Sequence, residues 1–219
     1  LRSYYLATAL VKAGFEVVML TAHNKSCKKK CNIDGIQVIY LPVLYLNELS
    51  FKSRIVAFLK FTLLAIIESI KQRNIDLCYV MTTPLTTGFI ALFNRYFLRR
   101  SYVFEVGDLW PAVPIEMNIV NGKLNRAILH GLERLFYQKA KGLVGLSDPI
   151  VSHLKSIAPN RPTTILCNIS NCKEYISRSK NELSIKNYQL KNQFVISYTG
   201  TFGLANDLEK IVNWAEEIA

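Results

Sequence analysis

The sequence predicts a doubly wound α/β fold, and three observations carry that prediction. Short apolar runs of strand length recur along the 219 residues. Most are followed by a longer helical pattern, which calls for parallel pairing through crossover helices. Hydrophobic residues make up 50% and charged residues 20% of the chain, so it can bury a real core, and disorder, collagen-like repeats and low-complexity arrays are excluded.

The chain opens in a helical pattern carrying Tyr4, Tyr5, Leu6, Leu10 and Val11 and stopped at Gly14. Residues 15–21 (FEVVMLT) form a β-branched run, residues 24–34 read as a Lys-rich loop, and residues 36–43 (IQVIYLPV) give a second strand. Residues 51–73 read as one long helix with a broad apolar side accompanied by Lys52, Arg54, Lys60, Lys71 and Arg73. That composition fits a crossover helix with its basic residues in water, or a helix lying in an anionic membrane interface. Its most apolar stretch, residues 58–67, contains Lys60 and is closed by Glu68, short of the ~20 apolar residues that a membrane span needs.

Further along, strands are expected at residues 75–82, 102–106, 142–146 and 164–168. Between them lie helices at residues 84–98, at 122–141 and from the Ser147-Asp148-Pro149 start signal. Residues 171–193 are polar and poor in apolar periodicity, which suits a linker or a surface helix with loops. A fresh strand at Phe194, a glycine loop and a helix over residues 206–219 then read as the start of a second α/β domain.

Lys and Arg number 27 against 16 Asp and Glu, a formal +11, which calls for an anionic partner. The positive charge is spread along the chain and accompanies no nucleic-acid motif, so nucleic acid is not the expected partner. Five cysteines, an odd number in a chain too long for a disulfide-stapled mini-domain, fit a reducing compartment. His23, Cys27 and Cys31 have a metal-like spacing but supply only three ligands in a basic loop, so no metal is expected. Because Leu1 is not an initiator methionine and opens inside a helix, the sequence is read as a fragment.

Three segments carry candidate chemistry. In Glu105-Val106-Gly107-Asp108-Leu109-Trp110-Pro111, Asp108 falls at the carboxyl end of an expected buried strand, where α/β sites lie, and a carboxylate there can orient or deprotonate a hydroxyl. Glu105 within the strand and Glu116 further on are alternative carboxylates, while Trp110 stiffens the loop. Thr82, Thr83 and Pro84 follow another strand and can line the same cleft. Gly200, Thr201 and Gly203 stand between a strand and a helix, where backbone N–H groups can approach a diphosphate.

The succession YYLATALVKAGFEVVMLTA, IDLCYVMTTPLTTGFIAL, VFEVGDLWPAVPIEM, LERLFYQKAKGLVGLSDPI, ILCNISN and VISYTGTFGLANDLEKIV resembles retaining, family-4 type GT-B glycosyltransferases. The nearest subgroup elongates lipid-linked sugars for bacterial surface polysaccharides. The resemblance implies two Rossmann-like domains facing a cleft: an acceptor domain over residues 1–185, a linker over 186–193, and the first αβ unit of a truncated nucleotide-sugar-binding domain over 194–219. It implies that the strand and Gly-Gly loop ahead of the first helix are missing, with Arg2, Leu6 and Ala7 matching the family's helix motif.

By the same resemblance Asp108 falls where members place an acceptor-side polar residue near the reacting centre and is the expected catalytic residue, and the residue reading adds Thr82, Thr83, Pro84, Glu105, Trp110 and Glu116 as expected acceptor-binding residues. Gly200, Thr201 and Gly203 face the donor diphosphate. The implied partners are a nucleotide sugar donor, a lipid-linked glycan acceptor and the anionic inner face of the plasma membrane, where a peripheral cytoplasmic enzyme would dock. No cofactor or metal is implied. Alternative readings are a nucleotide-sugar epimerase of the same fold and a non-catalytic basic binding module.

Overall fold

The computed structural model describes residues 2–46, 49–82, 84–116, 120, 122–169, 176, 197–200 and 207–218. The chain divides into two compact units, Leu1–Ser170 and Asn171–Ala219. In the first unit, α1 (Arg2–Lys12) leads into β1 (Val17–His23), β2 (Lys29–Ile33), β3 (Ile36–Pro42) and α2 (Phe51–Lys71). There follow β4 (Leu77–Met81), α3 (Thr87–Tyr96), β5 (Ser101–Val106), α4 (Ala112–Glu116), α5 (Lys123–Lys139), β6 (Gly142–Gly145), α6 (Asp148–Ile157) and β7 (Thr163–Ile165).

The strands form two sheets, β1-β3-β2 and β4-β5-β6-β7, and every pair is parallel except β2 with β3. The α/β class and the crossover helices are as the sequence predicts. The Lys-rich loop is corrected in part, because residues 29–33 form β2, an antiparallel edge strand. Asp34 and Gly35 both adopt positive φ (50° and 83°), the backbone that a two-residue hairpin turn demands, and the Gly35 N–H donates to Asn32 Oδ1 at 3.0 Å. Lysines on such an edge discourage further strand pairing.

Alternation along β3 sends its side chains to two cores. Ile36 and Val38 pack with Ala7 of α1, whereas Ile39, Leu41 and Val43 pack with Ala57 and Ala65 of α2 and Ile90 of α3. The larger core joins the second sheet to α3, α5 and α6, with Tyr102, Phe104, Phe136, Tyr137, Leu143 and Leu154 fully or almost fully buried. A Cβ at Gly88 would come within 2.4 Å of the Phe136 ring, so glycine there is what lets α3 and α5 approach. Arg100 closes α2 by donating to the carbonyls of Ser69 (2.8 Å) and Gln72 (2.6 Å), a cation at the negative end of the helix dipole.

In the second unit the described residues contain α7 (Leu208–Ile218), and residues 206 and 219 of the helix expected over 206–219 lie outside the described residues. The start of the strand expected from Phe194 lies outside the described residues, and 197–199 are not in a strand.

Candidate functional site

Because β4 to β7 run parallel, their carboxyl ends emerge on one side. At its centre β5 buries Tyr102, Phe104 and Val106 completely, and the chain then turns at Gly107 and leaves Asp108 exposed. Two hydrogen bonds fix this turn to the end of β4. The Thr82 N–H donates to the Glu105 carbonyl at 2.8 Å, and the Gly107 N–H donates to Thr82 Oγ1 at 3.0 Å. Thr82 thus sits beside Asp108's loop, and its hydroxyl positions backbone.

Glu105 is buried, and its carboxylate is engaged by protein groups. Arg2 Nε donates to Oε1 at 2.8 Å, Arg2 Nη2 to Oε2 at 3.1 Å, and the Tyr79 hydroxyl to Oε2 at 2.5 Å. The same guanidinium donates to the carbonyls of Leu166 (2.7 Å) and Cys167 (2.5 Å), beyond the end of β7. Arg2 therefore ties the first turn of α1 to the carboxyl ends of β5 and β7. The hydrogen bond to Glu105 pushes the guanidinium pKa further up despite burial. Burial, then the hydrogen bond to Glu105, drives the Tyr79 hydroxyl far above its ordinary range, so it remains a donor.

Trp110 is half-buried and packs against the larger core, which anchors the loop beyond Asp108 inward, and the Trp110–Pro111 peptide is cis. Glu116 is exposed at the end of α4, and Pro84 is half-buried after β4. Thr87 Oγ1 braces that connection by donating to the carbonyls of Met81 (3.1 Å) and Pro84 (3.0 Å). Thr83 lies outside the described residues. In the second unit Gly200 is described, and a Cβ there would meet the Tyr198 hydroxyl at 2.7 Å, while Thr201 and Gly203 lie outside the described residues.

The first unit also holds an apolar cleft of about 520 Å³ that does not include Asp108. One wall is residues 17–22 of β1 and another is residues 78–81 of β4, the two strands whose free edges close neither sheet. It runs the length of the strands, from Arg100 and Gln72 at one end to Met81, Pro84 and Tyr45 at the other. His23 Nε2 lies 2.7 Å from the Cys27 carbonyl, and among the described residues no group of three His, Cys, Asp or Glu is placed to hold a metal ion.

The role of Arg2 was not assigned from the sequence. A basic residue at the first position of α1 is the signal that marks it, but its partners lie 103 and 165 residues away.

A parallel sheet with crossover helices and an exposed carboxylate beyond a buried inner strand is the arrangement of a Rossmann-like domain. A solved structure of sucrose-phosphate synthase from Thermosynechococcus elongatus has a similar fold, with a TM-score of 0.58 at 15% identity, covering 79% of this chain. The chain spans 43% of that structure's length. The glycosyl transferase 4-like domain matches residues 2–168, and the chain belongs to that family. No match is found among curated proteins.

Proposed function

We propose that this chain forms the acceptor side of a glycosyltransferase that moves a sugar, with retention at the anomeric carbon, from a nucleotide diphosphate sugar to a lipid-linked glycan in bacterial surface polysaccharide synthesis. The observation that carries the reading is Asp108, exposed one residue past the glycine that follows the buried central strand, on a loop braced by Thr82 and by the Arg2–Glu105 pair. In the transfer, the bond from the anomeric carbon to the diphosphate oxygen breaks, a bond from that carbon to the acceptor oxygen forms, and the proton of the acceptor hydroxyl leaves with the departing diphosphate. Asp108 accepts a hydrogen bond from that hydroxyl and orients its lone pair toward the anomeric carbon. Glu105 and Tyr79 act as positioning residues beneath it.

The donor diphosphate falls to the second unit, where the resemblance gives Gly200, Thr201 and Gly203 to its phosphates. On the same reading the acceptor domain, linker and donor domain divide at residues 185 and 194. The enzyme works peripherally at the cytoplasmic face of the membrane that holds the acceptor, with no metal or cofactor. Among the described residues no helix is long and apolar enough to cross a membrane.

The test is release of nucleotide diphosphate by the full-length protein from a panel of nucleotide sugars, with and without membranes bearing lipid-linked acceptor. Acceptor-dependent release is expected. Turnover of a free nucleotide sugar with no acceptor would instead indicate an epimerase.

A further inference from the structure

The helix α2 is apolar on two sides. Its inward side buries Ala57, Thr62, Ala65, Glu68 and Ser69 and packs Phe61, Leu64 and Ile66 against the core. A second set of aliphatic side chains points out: Val56, Leu59, Leu63, Ile67 and Ile70 are 63%, 53%, 60%, 41% and 54% exposed. Their spacing of three and four residues puts them in one stripe along the helix. Packing on the core therefore accounts for the inward side of the helix and leaves the outward stripe uncovered.

The charges on that side have one sign. Lys52, Lys60 and Lys71 are exposed, and each lies three or four residues from members of the stripe. The sole acid of α2, Glu68, is buried and paired with Lys28 at 2.5 Å, Lys30 at 3.6 Å and Lys71 at 3.6 Å. The apolar surface continues into the connection ahead of the helix, where Leu44, Tyr45 and Leu46 are 53%, 37% and 43% exposed and Tyr45 stacks on Phe58 at 5.4 Å.

We propose that this face of α2 lies in the headgroup region of an anionic lipid bilayer, parallel to its plane, with the stripe inserted and Lys52 and Lys60 at the phosphates. A second copy of the chain fits less well, because a symmetric pairing of this face sets lysines against the same lysines with no acid between them. The choice of a bilayer over another anionic apolar surface rests on the lipid-linked acceptor proposed above. The binding assay contains neither sugar nor acceptor, so failure of transfer and failure of docking are read separately.

The experiment is flotation of the full-length protein with phosphatidylcholine vesicles and with vesicles of phosphatidylcholine mixed with phosphatidylglycerol. Stronger binding to the mixed vesicles, weakened by salt, is expected. Leu59→Ser with Leu63→Ser, and separately Lys52→Glu with Lys60→Glu, should each reduce that binding at least about tenfold. Both pairs are solvent-exposed, and thermal unfolding and circular dichroism of each variant verify that the fold is intact. Two further outcomes overturn the proposal: binding unchanged by both pairs, or a soluble dimer that the leucine pair dissociates and that does not bind vesicles. Absence of binding to either vesicle overturns it as well.

Discussion

Arg2, in the first turn of α1, and Glu105, on the central strand β5, form a forked ion pair with N–O distances of 2.8 and 3.1 Å, and Tyr79 donates to the same carboxylate. The pair joins the start of the chain to the strand that presents Asp108. Its burial makes it costly to break: with the guanidinium gone, the carboxylate loses two of its donors where water cannot replace them.

Arg2→Ala is therefore expected to destabilise the protein by about 3 kcal/mol. Arg2→Lys should recover only part of this, since an ammonium cannot fork between Glu105 and the carbonyls of residues 166 and 167. Urea unfolding of Arg2→Ala, Glu105→Gln and the double variant gives the coupling. Additive effects would mean that the two side chains do not act as a pair.

Thr82 is expected to be a positioning residue. Thr82→Val leaves the Gly107 N–H without its acceptor and should cost about 1 kcal/mol, with a fall in turnover as the Asp108 loop loosens. Thr82→Ser keeps the oxygen and should restore both. Equal behaviour of the Val and Ser variants would show that the hydroxyl does not matter.

Gly88→Ala places a methyl within 2.4–2.6 Å of the Phe136 ring. The overpacking is expected to exceed the helix propensity gained and to destabilise by about 2 kcal/mol, read as a lowered Tm. Phe136→Leu in the same background should relieve part of the clash. If Gly88→Ala melts with the wild type, α3 and α5 are not packed as described.

Glu68 supplies the pH dependence. Burial alone would raise its pKa, but the hydrogen bond from Lys28 and the charges of Lys28, Lys30 and Lys71 take it below its ordinary value of 4.5. As pH falls through that value the unfolded chain takes up the proton first. The contribution is thus present above about pH 4.5 and is lost as pH falls through the folded-state pKa. Glu68→Gln should cost about 1 kcal/mol at pH 7, a modest figure because the lysines are partly in water. The difference from wild type should vanish in strong acid, and one that grows toward acid would reverse the sign of this account.

The α/β class was legible because its signals are local: β-branched runs at residues 15–21 and 36–43, and the helical periodicity of residues 51–73 after the second, need no distant partner to be read. The hairpin strand β2 was hidden by Lys29 and Lys30, which look like loop, although Asp34-Gly35 marks its turn. Asp108 was legible as a carboxylate just past a buried strand. The function of Arg2 was not, because a side chain's partners 103 and 165 residues away leave no trace in spacing. Nor was the outward stripe of α2 separable from a core stripe, since periodicity fixes a face but not which side of it meets the sheet.

The most direct test of the acceptor-side assignment is nucleotide diphosphate release by the full-length protein and by Asp108→Asn, at saturating nucleotide sugar with lipid-linked acceptor present. The exchange removes the charge but nearly preserves shape, and Asp108 is exposed, so the Tm should hold. The account predicts a fall of about 100-fold in acceptor-dependent release. Wild-type rates in Asp108→Asn would contradict it and move the chemistry away from the loop beyond β5.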